Sequence, residues 1–191
     1  MTPPYPATSN QPAPAAVKKV NPAWIIALLL AYTAAAQVAV GTGIDRLVAE
    51  NAEYNQFSSQ EVLVTFLRVG VIVWSALASF LQALVLRLIY KGIVRGQAPT
   101  LRSSWFWVLL GQIPFMLTVL GLFLAADAFT APDALGVLGQ AWLRILFGAV
   151  GAAIYVVLAR KTLGAPVGRL AVLFAIVTIV NSVLLVAGGP A

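Results

Sequence analysis

The chain has no cysteine and no histidine, and only 9% of its 191 residues carry charge. Without cysteine there is no disulfide and no thiolate nucleophile. Without histidine there is no imidazole base, and the usual zinc, copper and haem ligands go with the pair. The shortage of charge excludes a soluble domain of this size, which carries roughly a quarter charged residues to face water. What fills the gap is apolar: 61% of residues are hydrophobic and the mean hydropathy is +0.93. Lipid is therefore expected to be part of the solvent. Other chemistry is also missing. No pair of acids lies inside an apolar run, and no glycine-rich loop is followed by a lysine that could cradle a nucleotide. The sequence predicts a protein that is not an enzyme, with no catalytic residues, no metal site and no cofactor. The net charge of +6 is spread in short clusters beside apolar runs, which argues for membrane topology and against nucleic acid.

Residues 1–22 are rich in proline, alanine and small polar residues, without apolar periodicity, and read as a flexible tail. Five apolar runs follow, at about 23–41, 62–90, 104–126, 139–159 and 170–188. Each reaches the roughly 20 residues that a helix needs to cross a hydrocarbon core of about 30 Å. Strands of a barrel would alternate in polarity, and these runs do not. The expected fold is all-α: a polytopic transmembrane bundle of about five spans over 23–188. Placing the N-terminus in the cytoplasm puts Lys18, Lys19, Arg87, Lys91, Arg95, Arg102, Arg160, Lys161 and Arg169 inside, nine of the twelve basic residues. The C-terminus then lies outside. The six acids, Asp45, Glu50, Glu53, Glu61, Asp127 and Asp133, fall in outer loops or at an outer helix end. Trp24, Tyr90, Trp105, Trp107 and Trp142 fall near interfaces, whereas Trp74 is expected to pack deeper.

Several residues within the runs are candidates for function. Arg68 and Arg87 are 19 positions apart, about 28 Å of helix, so each can snorkel to one interface. Arg68 and Arg144 are the possible contacts for anions or lipid headgroups. The alternative is pairing with an acid, Asp133 for Arg144 and, for Arg68, Glu61 two helical turns back on the same face. Gln82, Gln112 and Asn181 are amides in apolar surroundings. They either hold helices together or line a path. Pro114, after Gly111 and Gln112, removes a backbone hydrogen bond in mid-span and should bend the helix there. Small residues at four-residue spacing, Ala31, Ala35 and Ala39, and Gly148 with Ala152, mark seams where helices approach closely. The surroundings of Arg68 and Arg144 share a loose plan that a duplicated hairpin would produce, as in some transporters.

The basic loop GIVRGQAPTLRSSWFWVL (92–109) leading into GQIP (111–114), and the later stretch AWLRILFGAVGAAIYVVLARKTLGAP (141–166), are similar to Yip-type membrane proteins, named for association with Ypt and Rab GTPases. The resemblance covers about residues 74–188 and implies five spans with a cytoplasmic N-terminus. Of its motif positions only Gly111 and Pro114 carry over, as structural ones. Eukaryotic members carry an acidic, leucine-containing N-terminal motif, whereas residues 1–22 contain no acid, which argues against a Rab-type GTPase partner. The alanine, valine and leucine bias, with eight arginines against four lysines, points to a bacterial inner (plasma) membrane. The functional expectation is a scaffold or accessory subunit acting through helix contacts with other membrane proteins or as a homo-oligomer. The alternative is a small oligomeric transporter or channel. An enzyme built on Glu50, Glu53 and Glu61 is the least supported, since acids in a polar loop mostly solvate it.

Overall fold

A computed structural model describes residues 20–50, 59–94, 97–129, 137–138 and 140–187. The tail ahead of residue 20, Glu53, Arg95, Asp133 and the last four residues lie outside them. Six helices follow in order: α1 (Pro22–Glu50), α2 (Gln60–Val94), α3 (Leu101–Gly111), α4 (Ile113–Phe129), α5 (Ala141–Leu163) and α6 (Val167–Ala187). Four helical segments, Pro22–Gly41, Gln60–Val94, Leu101–Ala125 and Ala141–Leu163, are long and apolar enough to cross a membrane. The apolar helix α6 is packed most extensively on α5, while α1 lies chiefly against α2 and α4.

Local chemistry sets the ends. Asn21 caps α1, its Oδ1 accepting the Ala23 N–H at 3.0 Å, and Pro22 occupies the first turn, where a missing N–H costs nothing. Thr100 caps α3 by accepting the Ser103 N–H at 3.1 Å. Helix α5 stops at Gly164, which adopts the left-handed conformation (φ 62°) and donates its N–H to Arg160 O at 3.0 Å. Three residues, Gly164, Ala165 and Pro166, then separate α5 from α6.

The expected third span is divided. The helix is interrupted at Gln112, whose N–H reaches back to Leu109 O at 3.1 Å. Pro114, with no N–H to give the carbonyl four residues earlier, accounts for the break. At the other ends the helices outrun the apolar runs. Helix α1 continues to Glu50, so Asp45 and Glu50 are helical, and Glu61 stands in the first turn of α2. The reason is propensity: the stretch Arg46–Glu50 is rich in leucine, valine and alanine, and helix formation does not stop where hydrophobicity does.

The inward faces hold the small and polar residues together with large ones such as Leu86, Tyr90, Trp107 and Tyr155, and the outward faces hold large apolar ones. On α2, Ser75, Ser79, Gln82, Ala83, Leu86 and Tyr90 are buried, while Phe66, Val73, Trp74, Leu77 and Leu81 are exposed. This corrects the expectation for Trp74, which is 60% exposed on the outer face. Its period places it opposite the small-residue stripe that lets helices approach. Trp107 moves the other way, buried edge-to-face against Tyr155 with ring centroids 5.5 Å apart. Of the alanine seam in α1, Ala31 is exposed and Ala35 and Ala39 are half-buried. Gly148 and Ala152 are buried, and Gly148 lies against α6 within this chain.

The antiparallel topology also sorts charge. Arg87, Lys91, Arg102, Arg160, Lys161 and Arg169 gather where α2 and α5 end and α3 and α6 begin. Asp45, Glu50 and Glu61 belong to the opposite end, with Arg68 and Arg144.

Candidate functional site

The polar interior of the bundle is built where α2, α3, α5 and α6 meet. Gln82 of α2 donates its Nε2 to Asn181 Oδ1 of α6 at 2.6 Å, both side chains buried. Asn181 in turn donates Nδ2 to the Gly148 carbonyl of α5 at 3.2 Å. Three helices are thus joined through one amide pair. Such bonds contribute about 0.6–2 kcal/mol each in a membrane interior.

Glycines make this reach possible. A Cβ on Gly148 would lie 2.8 Å from Ser182 Oγ and 3.1 Å from its backbone nitrogen. A Cβ on Gly111 would lie 3.2 Å from Gly151 Cα. The α3, α5 and α6 backbones are therefore in near contact around Asn181, whose Nδ2 stands 3.4 Å from the Cβ position of Gly151.

A second layer lies toward the basic end. Ser104 Oγ donates to Ala83 O at 2.9 Å and lies 3.2 Å from Tyr155 OH. With the serine proton committed to the carbonyl, the tyrosine hydroxyl is the donor in that pair. Trp105 Nε1 donates to Ser79 Oγ at 3.1 Å, and Ser79 passes its own proton to Ala76 O at 2.8 Å.

The structure therefore brings together Gln82, Asn181 and the seam residue Gly148 of the sequence-predicted residues, and Gln112, Pro114, Arg68 and Arg144 are not hydrogen-bonded into that set. Gln112 is buried at the helix break. Pro114 serves the break, its carbonyl accepting the Thr118 hydroxyl at 2.8 Å. Arg68 is at the far end. It pairs with Asp45 of α1, Nη2 standing 3.0 Å from each carboxylate oxygen. The pair is about half-exposed, which holds its contribution to about 1 kcal/mol or less in water. Glu61 is not its partner, because the α1–α2 hairpin sets the facing helix closer than two turns of the same one. The backbone carbonyl of Arg68 also accepts the Gln37 amide. Arg144 donates its Nε to Leu138 O at 3.2 Å.

Ser104, Tyr155 and Gly151 belong to the site and were not singled out in the sequence. Gly151 and Tyr155 continue the register of Gly148 and Ala152 by one helical turn, a signal that extending the small-residue seam would have caught. Two hydroxyls, Thr178 Oγ1 and Ser182 Oγ, are buried without a partner among the described residues. The groups in this interior are neutral amides, hydroxyls and carbonyls. They can hold helices in register or hydrogen-bond a polar solute. Comparison with protein-family models, with curated proteins and with solved structures found no match to this chain.

Proposed function

We propose that the chain is a five-span membrane protein, N-terminus in the cytoplasm and C-terminus outside, that serves as a scaffold or accessory subunit for other membrane proteins without catalysing a reaction. Helix α6 is the fifth span: its 21 residues give about 31 Å, close to the hydrocarbon thickness. The sorting of charge supports the orientation, since the end bearing Arg87, Lys91, Arg102, Arg160, Lys161 and Arg169 is the one the positive-inside tendency assigns to the cytoplasm. The arginine-rich, alanine-rich composition supports a bacterial inner membrane, and the Yip-type resemblance rests on the loop at 92–109, GQIP (111–114) and the stretch at 141–166.

The observation that carries the scaffold reading is the Gln82–Asn181–Gly148 chain of hydrogen bonds. Two of the three amides a path would use are spent on holding the bundle. The test is native purification of the tagged full-length protein in a mild detergent, with identification and stoichiometry of co-purifying chains. A second membrane protein in fixed ratio is expected. A homogeneous homo-oligomer without a partner would count against the scaffold reading.

One observation favours a small oligomeric transporter or channel instead. Gln112 is buried at a helix break, and two buried hydroxyls, Thr178 Oγ1 and Ser182 Oγ, have no partner among the described residues. In that case Gln112→Leu abolishes flux of small polar solutes into reconstituted vesicles while the protein stays folded. Unchanged flux removes Gln112 from any path.

A further inference from the structure

The chain's six acids all fall within residues 45–61 and 127–133. Those described, Asp45, Glu50, Glu61 and Asp127, lie in α1, α2 and α4 toward the end of the bundle away from the basic one. The basic end therefore has no carboxylate among the described residues. Six cations belong to that end, and among the described residues no salt bridge joins any of them to an acid. Two are fixed by the protein itself. Arg87 donates Nε to Pro99 O at 2.9 Å, and Arg169 donates Nη1 to Val94 O. They thus grip the α2–α3 connection from two helices. Lys91, Arg102, Arg160 and Lys161 are exposed around it.

Like charges gathered at one end of a bundle repel one another unless a counter-charge arrives from outside the chain. The surface just deeper in the bundle identifies the carrier of that charge. Leu88 lies between Arg87 and Lys91. Val157 lies one turn before Arg160, and Val172 one turn after Arg169. All three are exposed, at 59%, 49% and 51%. A soluble polyanion matches the cations and leaves these side chains uncovered. An anionic phospholipid matches both, its phosphate among the guanidinium and ammonium groups and its acyl chains along the apolar faces.

We infer that this basic end is a binding surface for anionic phospholipid headgroups, centred on Arg87 and Arg169 and completed by Lys91, Arg102, Arg160 and Lys161. The inference is independent of whether the protein acts as a scaffold or a transporter, and needs only that the bundle is embedded in lipid.

The experiment uses the full-length protein in neutral detergent micelles, titrated with phosphatidylglycerol, with phosphatidylcholine of the same acyl chains, or with inorganic phosphate. Thermal melting and native mass spectrometry are the readouts. Phosphatidylglycerol is expected to raise the melting temperature and to remain bound in the gas phase. Phosphatidylcholine and phosphate at matched concentration are expected to do neither. A basic residue near an anionic lipid surface strengthens binding roughly fivefold, so the Arg102→Gln, Arg160→Gln, Lys161→Gln triple variant should bind on the order of a hundredfold more weakly. Arg68→Gln at the opposite end should bind as the parent does. Equal shifts with both lipids, or an unchanged triple variant, would overturn the assignment. A shift reproduced by free phosphate would overturn the lipid part of it. Should the triple variant fail to fold, the parent protein decides the matter by salt: its preference for phosphatidylglycerol must collapse near about 1 M salt, where the screening length is about 3 Å. A preference that survives would reject the surface.

Discussion

Replacing Gly148 with leucine is expected to destroy the folded bundle, with a loss of at least about 3 kcal/mol in a denaturing-detergent titration, the upper end of what overpacking costs. The reason lies in what stands opposite. The first added carbon would sit 2.8 Å from Ser182 Oγ, 3.1 Å from the Ser182 backbone nitrogen and 3.3 Å from its Cα. A hydroxyl can rotate away, but a helix backbone cannot, so α5 and α6 must part along their largest shared face. The smaller change separates the two obstacles. Gly148→Ala should be partly rescued by Ser182→Ala, which removes the nearest atom. Gly148→Leu should not be, because the α6 backbone remains. Gly111→Ala and Gly151→Ala should be worse together than the sum of the two, since both methyl groups enter the same gap. Strictly additive losses at that pair would show that α3 and α5 do not meet there.

The second large effect is expected at Asn181. Asn181→Leu removes two interhelical hydrogen bonds at once, leaving the Gln82 amide and the Gly148 carbonyl unpaired in an apolar interior, for a cost of about 1–3 kcal/mol. Gln82→Leu alone should cost less, because Asn181 keeps its bond to Gly148. The double variant should be less damaging than the sum by about 1 kcal/mol, since the second substitution removes a polar group that the first had already orphaned. A coupling of zero, read from the same titrations, would mean that the two amides are not partners. Loss of flux in either variant with stability unchanged would instead move both residues into a solute path.

How far these features could be read from residues alone depends on the length scale. Hydrophobic runs locate helices because hydrocarbon thickness demands about 20 apolar residues, and the runs coincide with α2, α5 and α6 to within a few positions. The polar pair was legible as two amides needing partners. That they partner each other was not, because residues 82 and 181 are brought together only by the packing of α2 on α6. Arg68 shows the same limit from another side. Its nearest acid along the chain is Glu61, yet a hairpin sets Asp45 against it from 23 positions away. The break at Gln112 was written locally, in the proline two residues later. Trp74 was misplaced because hydrophobic bulk signals the interior of a soluble protein, whereas in lipid the interior is the side with small and polar residues, and bulk faces out.

The three-residue link between α5 and α6 bears on how the chain enters the membrane. Asn181 on an isolated α6 would have to cross into lipid with its amide bare, a step that polar side chains oppose. A connection of Gly164, Ala165 and Pro166 leaves no room for α6 to partition separately from the helix it follows. On the five-span reading proposed above, the two insert as one hairpin, and the Gly148 carbonyl travels with the amide it will receive. Lengthening that link with a flexible glycine and serine segment should therefore slow or misdirect insertion of α6 during synthesis, even though the finished bundle has space for the loop in water.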